Sequence, residues 1–293
     1  MELVSVIIPT YGCRGHLKES IDSVLAQSYK ALEIIVVDDN PSNSEAREKT
    51  EAIMESFSSL SSVIYIKHKE NRNGAAARNT GIRLSKGDFI AFLDDDDSFF
   101  PSKLEEQVNY LNTHSDLEAV YCWAVNNGRN YSPSSYEGRP MKEMLMLQTC
   151  MYTPCLMFRR QPLLSIGGFD EALTRHQDYD LLLRFFGNGY SIGCLRKELT
   201  EIGSNEGENE VYGARLEELK EYFFTKFASY IDDIDKKEPG FKKKVYAKHY
   251  ASVFLRHVKK MDIIRAVKVL FKYFILSPRQ FLEVLKKSIK AHI

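Results

Sequence analysis

Short apolar runs at residues 4–8, 33–37, 63–66 and 89–93 alternate with segments of helical spacing, and this alternation permits few folds. After the first run, Leu17, Ile21, Val24 and Leu25 recur on one helical face; residues 44–57 and 75–84 form the next two helical segments. Strands that are apolar on both faces must be covered on both faces. The pattern therefore predicts an α/β protein with a mostly parallel sheet built from right-handed crossovers. In such sheets ligands bind beyond the carboxyl ends of the strands. Those ends read Pro9-Thr10-Tyr11, Asp38-Asp39 and Asp94-Asp95-Asp96-Asp97, so three polar strand ends are expected to converge on one crevice.

Further along, the spacing predicts a helix over 101–112, strands over 119–125 and 155–158, a Gly-Gly turn at 166–170 and a helix over 178–186. Residues 126–140, rich in Asn, Ser, Gly and Pro, read as a loop, and 203–213 as a mobile stretch. From residue 214 the pattern is helical to the end, with breaks at Pro239 and Pro278. The expected division is 1–213 as a catalytic domain and 214–293 as a basic helical extension. With 44% apolar and 27% charged residues, wholesale disorder is excluded. The longest apolar runs, 89–93 and 269–276, fall short of the roughly 18 residues that span a bilayer. The start MELVSVIIPTY lacks a basic lead and a small-residue cleavage site, so a cytoplasmic protein is expected. Five scattered cysteines without a CxxC pair read as reduced, packed thiols.

The net charge of zero hides an asymmetry. Residues 236–293 hold 16 Lys+Arg against 3 Asp+Glu, leaving 24 against 37 for the rest. In 241–261 the residues Phe241, Val245, Tyr250, Val253, Phe254, Val258 and Met261 recur at helical spacing among Lys242, Lys243, Lys244, Lys248, Arg256, Lys259 and Lys260. Two readings stay open for this stripe: packing against the rest of the protein, or an anionic membrane surface. Nucleic acid is not expected, because the bulk of the chain is acidic and no recognition motif is visible.

The stretch FIAFLDDDD carries the most chemistry. Adjacent carboxylates at the end of an apolar strand repel unless a cation or proton compensates them, and hard oxygen ligands suit Mg²⁺ or Mn²⁺. Asp94 and Asp96 can both reach one ligand if the turn brings them together, with Asp95 directed elsewhere, toward a ribose hydroxyl. Asp38 can cap the next helix or accept hydrogen bonds from a nucleobase or ribose. NGAAARN puts small residues at a helix start with Arg78 one turn in, which permits close approach of a phosphate.

In order, VSVIIPTY, EIIVVDD, NGAAARNTGI, GDFIAFLDDDD, GGFDEAL and HQDYDLLLRF resemble the motifs of family 2 inverting glycosyltransferases, over about residues 3–205. The resemblance implies the GT-A fold, a three-layer α/β/α nucleotide-diphospho-sugar transferase sandwich, here with the C-terminal helical extension. It implies that Pro9, Thr10, Tyr11 and Asp38 line the nucleobase pocket and that Arg78 contacts the nucleotide. It also makes Asp94–Asp96 the DxD element, with Asp96 the direct metal ligand, and Asp178 the base that deprotonates the acceptor hydroxyl. Gln177 stands where the family commonly has Glu. Asp180 is a weaker candidate base, because it faces away from Asp178 on a helix. His176 is open between a phosphate contact and a turn cap.

The expected function is thus inverting, Mn²⁺- or Mg²⁺-dependent, non-processive transfer of one sugar, from a UDP-sugar or related donor. The acceptor hydroxyl would lie on a glycan or a lipid-linked saccharide, in bacterial surface polysaccharide or glycan assembly. No QxxRW motif points to a processive synthase. Alternatives are a sugar-nucleotide nucleotidyltransferase, which would want a Gly-rich basic loop after the first strand, and a non-catalytic binding protein on the same fold. The chain has no GxGxxG after that strand, which disfavours a dinucleotide-dependent oxidoreductase.

Overall fold

The computed structural model describes residues 1–13, 16–130, 134–149, 151–173, 175–203 and 211–290. Part of the expected loop at 126–140, most of the expected mobile stretch at 203–213 and Cys150 lie outside the described residues. The chain forms two compact units, one of residues 1–141 and 149–204, the other of 142–148 and 205–293.

The first unit carries a nine-stranded sheet: β1 Val4–Thr10, β2 Leu32–Asp38, β3 Val63–Lys67, β4 Phe89–Phe92, β5 Ser98–Phe99, β6 Ala119–Asn126, β7 Arg129–Asn130, β8 Leu156–Arg159 and β9 Ile192–Glu201. The order is β3-β2-β1-β4-β8-β6-β9-β5, with β7 paired to β6. The β3-β2-β1-β4 half is parallel throughout, as four apolar runs joined by helices require. β8 then enters antiparallel to both β4 and β6, while β9 runs parallel to β6.

Helices α1 Leu17–Leu25, α2 Glu45–Glu55, α3 Gly74–Leu84, α4 Lys103–Thr113, α6 Arg160–Ser165 and α7 Gln177–Gly187 belong to this unit; α5 is Met141–Leu145. Strand residues alternate between the faces. Val4, Val6, Ile8, Ile34, Val36, Phe89 and Ala91 cluster with Leu17, Ile21 and Val24 of α1, Met54 of α2, and Leu104, Val108 and Leu111 of α4. On the opposite face Ile35 and Val37 pack with Ala77 of α3. Phe92 meets Phe158 and Phe169 edge to face there, and Phe158 meets Phe185 of α7. This is the expected α/β/α sandwich. α3 also packs tightly: a Cβ on Gly81, two residues beyond the NGAAARN run, would sit 2.4 Å from Ile7 Cγ2, so this glycine lets α3 lie close on β1.

The sequence pattern did not foretell β9. Its middle, Arg196, Lys197 and Glu198, is exposed, and its pairing with β6 shifts register around Trp123, so no two-residue alternation is visible.

The second unit is helical: α8 Gly213–Lys226, α9 Ala228–Lys237, α10 Phe241–Lys259, α11 Ile263–Tyr273 and α12 Pro278–Lys290. The α10 stripe is its interior, with Phe241, Val245, Tyr250 and Val253 buried. The ring of Phe224 on α8 stacks on Tyr246 with centroids 3.9 Å apart, and Tyr250 stacks on Tyr273 of α11. Of the two readings left open for the stripe of 241–261, the apolar residues take the packing one. Once its apolar side is buried among aromatic rings, α10 presents mainly solvated lysines, with only Val258 and Met261 left exposed.

Candidate active site

Because β1 and β4 are neighbours, their carboxyl ends meet, and Thr10 Oγ1 donates to Asp95 Oδ2 at 2.6 Å. Tyr11, just beyond β1, is 52% exposed; Pro9 is half-buried in the strand. The acidic turn closes with Asp97 N–H donating to the Asp94 carbonyl, and Gly203 N–H donates to Asp97 Oδ1 at 2.8 Å. Gly203 is needed for this approach, since a Cβ there would lie 2.3 Å from the Asp96 carbonyl oxygen.

Asp38 is placed differently from the expectation. It is fully buried, and its carboxylate accepts from Asn40 N and Nδ2 at 2.9 and 2.8 Å and from the Tyr65 hydroxyl at 2.5 Å. It also pairs with Arg47 Nε at 2.8 Å. A carboxylate with all its acceptor capacity used internally and no exposed surface has nothing to offer a nucleobase; Asp38 organises the strand end instead. Arg47→Met should therefore cost about 3–5 kcal/mol, because it strands a buried charge. Urea unfolding would show it, and a loss below about 1 kcal/mol would contradict this assignment.

Asp39 is similarly held, by His68 Nδ1 at 2.7 Å and the Arg72 N–H at 2.9 Å. At the start of α3, Asn73 Oδ1 accepts from Ala75 N and Ala76 N, so the helix caps itself there. The cation one turn in, Arg78, reaches across to Asp94 and donates to Gln177 Oε1 at 3.0 Å. Its Nε is buried with no hydrogen-bond partner among the described residues. Gln177, at the position where Glu was the expected residue, thus ties α7 to α3 and the acidic turn.

A cavity of about 250 Å³ opens here, lined by Arg78, Asp94, Asp97, Asp178 and a second set that includes Tyr152, Thr153, Arg175 and His176. Asp178 sits in the first turn of α7 and accepts from Tyr179 N–H at 2.9 Å. Burial pushes its carboxyl above the usual range; that hydrogen bond and the nearby Arg78 oppose the shift. Such a group is a better proton acceptor than an exposed carboxylate. Asp180 is not a second base. It is buried and bound by Arg184, whose guanidinium also holds the carbonyls of Ile166 and Gly168, so it fixes the Gly-Gly turn.

Two carboxyls of the acidic turn, Asp95 and Asp97, resist ionisation. Burial pushes Asp95 up to about 6. Burial, with Asp94 next, pushes Asp97 up to about 8. In the unfolded chain Asp97 would titrate at its ordinary 3.8. The folded state alone then holds the proton between those values, so stability falls as pH rises through that window. Asp97→Asn should flatten this slope in thermal unfolding without metal or donor. The variant should be more stable than wild type above pH about 8 and equal to it below about 4. An unchanged slope would contradict the shift.

Among the described residues no three His, Cys, Asp or Glu side chains are grouped to hold a metal ion unaided. One or two carboxylates suffice for Mg²⁺ when substrate phosphates and water complete its shell, and Asp94 and Asp96, both partly exposed, are oxygen donors of that kind.

Tyr152, Thr153 and Pro154 carry no signal in the sequence, because they precede a strand instead of following one and belong to none of the family motifs. β8 is antiparallel to β4, with Met157 opposite Ala91, so the residues before its start lie beside the acidic turn.

Comparison with known proteins adds the following. The family model "Glycosyl transferase family 2" matches residues 5–167. The uncharacterized glycosyltransferase MJ1057 of Methanocaldococcus jannaschii is 30% identical over 231 residues, covering 76% of this chain and 78% of its own. The uncharacterized glycosyltransferase RP339 of Rickettsia prowazekii is 34% identical over 63% of this chain, which spans only 58% of that relative. The amylovoran biosynthesis glycosyltransferase AmsB of Erwinia amylovora is 29% identical, with 71% and 74% covered. Among solved structures, residues 1–349 of S. aureus TarS in complex with UDP-GlcNAc superpose with a TM-score of 0.66 at 19% identity, covering 96% of this chain and 83% of that one. At that identity the likeness establishes the fold.

Proposed function

The chain belongs to glycosyl transferase family 2 and is a glycosyltransferase, and on that premise we propose that it moves one sugar from a UDP-sugar to an acceptor hydroxyl, with inversion and without processivity. The observation that carries this reading is the convergence of Asp178, Arg78 and Asp94 on one cavity beyond the strand ends. UDP as the nucleotide is supported by the UDP-GlcNAc complex of the structural neighbour. An acceptor that is a glycan or lipid-linked saccharide, in surface polysaccharide assembly, is supported by the relative named for amylovoran biosynthesis.

Pro9, Thr10 and Tyr11 flank the base of the donor, and Asp95, oriented by Thr10, faces the ribose. Arg78, whose Nε has no hydrogen-bond partner among the described residues, contacts the leaving diphosphate. Asp94 and Asp96 would hold Mn²⁺ or Mg²⁺, which when bound supplies positive charge to the diphosphate. Asp178 takes the proton from the acceptor hydroxyl as that oxygen bonds to the anomeric carbon and the bond to the diphosphate breaks. One displacement inverts the configuration. We assign this chemistry to residues 1–213, and an anionic membrane surface on the cytoplasmic side to the helices of 214–293. No helix among the described residues is long and apolar enough to cross a membrane.

The test is a screen of UDP-, GDP- and dTDP-sugars for nucleotide release with and without Mn²⁺. Release from UDP-sugars that rises with metal is expected. Release from none would leave a binding protein on this fold, and pyrophosphate-linked synthesis of the donor would point to a nucleotidyltransferase.

A further inference from the structure

Unlike an ordinary surface helix, α11 is apolar on its exposed side as well as on its buried one. Ala266, Val269 and Tyr273 face inward and are buried. At 100° per residue the opposite side carries Ile263, Ile264, Val267 and Phe271, which are 53%, 73%, 43% and 71% exposed, and Ile275 continues the ridge at 73%. From Ile264 to Ile275 the ridge is about 16 Å long. Large apolar side chains in one contiguous exposed row mark an interaction surface. Lys268 and Lys272 run along one flank of the ridge, Lys259 and Lys260 precede it, and α11 contains no acidic residue.

We propose that this ridge inserts into the headgroup region of an anionic lipid bilayer, with the flanking lysines on the lipid phosphates. The proposal rests on the reading above that the C-terminal helices meet a membrane, and it moves the contact from α10, whose apolar side is buried, to α11. Charge selects lipid over protein as the occupant. Lysine is depleted from protein–protein interfaces, whereas lysines beside an apolar helix face are the composition of interfacial membrane helices. Each basic residue near an anionic leaflet strengthens binding about fivefold. Apolar insertion alone gives weak, reversible attachment, and the two together give a surface that salt can release.

The experiment is co-sedimentation of the full chain with vesicles of phosphatidylglycerol and phosphatidylcholine in equal parts, and of phosphatidylcholine alone, at low and high salt. Wild type should bind the anionic vesicles at low salt and be largely released at high salt. Ile264→Ser/Phe271→Ser, at exposed positions that leave the interior intact, should weaken binding by about tenfold or more. Lys268→Gln/Lys272→Gln should weaken it by about tenfold or more and reduce the salt response. Nucleotide release from a soluble acceptor assay should be unchanged in both, which separates this surface from the catalytic reading. Wild-type binding that neither variant weakens would overturn the assignment to α11 while keeping a membrane contact elsewhere. No wild-type binding to either vesicle would overturn both. A concentration-dependent dimer that Phe271→Ser converts to monomer, without vesicle binding, would make the ridge a self-association face and overturn the lipid reading.

Discussion

Replacing Asp178 with asparagine is expected to slow transfer by about 10²- to 10⁴-fold, the usual contribution of a general base, while donor affinity barely changes. The amide keeps the shape of the carboxylate, and its oxygen can still accept the Tyr179 N–H. What it loses is the capacity to take a proton. Asp178 is suited to that task because burial raises its carboxyl toward the working pH, while Arg78 and the backbone bond keep the shift bounded. The check is a comparison of kcat with the dissociation constant for UDP measured separately by calorimetry. Equal losses in both would assign Asp178 to holding the start of α7 and not to proton transfer.

Asp96→Ala is the second large effect expected: Mn²⁺-stimulated turnover should fall by about 10²-fold or more, in line with the several kcal/mol that charge neutralisation of a leaving group contributes. Mn²⁺-dependent tightening of UDP binding should disappear with it. Stability should hold or rise, because Asp96 adds, behind burial, to the upward push on Asp95 and Asp97, and one fewer carboxylate relieves that repulsion. Titrating wild type with a chelator should reproduce the activity loss. A variant that retains wild-type activity at limiting Mn²⁺ would place the metal contact elsewhere, with Asp94 as the next residue to test.

The parallel half of the sheet was legible because its signals are local. Residues 4–8, 33–37 and 89–93 are apolar on both sides of the strand, and that requires cover from helices whatever the rest of the chain does. The polar ends followed from the same logic, and so did the meeting of Thr10 with the acidic turn. The family motifs then located Asp178, which lies far from that turn in sequence and which no periodicity would single out. Asp38 shows the limit of such reading. Position at a strand end marks a residue as near a ligand site, but whether its side chain faces the ligand or the interior depends on Arg47, Tyr65 and Asn40, contributed by separate segments.

The sequence by itself determined the α/β class, the order of the first four strand–helix units, the acidic turn after β4 and the helical, basic character of the C-terminal region. These follow from backbone periodicity and from charge, which neighbouring residues carry without reference to distant ones. Only the tertiary structure decided that β8 brings 152–154 to the cavity, that β9 pairs in parallel with β6, and that Asp180 and Asp38 are internal pins. It also decided which amphipathic helix keeps its apolar side exposed. The stripe of α10 is buried against Phe224, Tyr273 and their neighbours, whereas α11 keeps an apolar row exposed. A hydrophobic pattern states that a face seeks cover, and the packing of distant segments settles which face receives it.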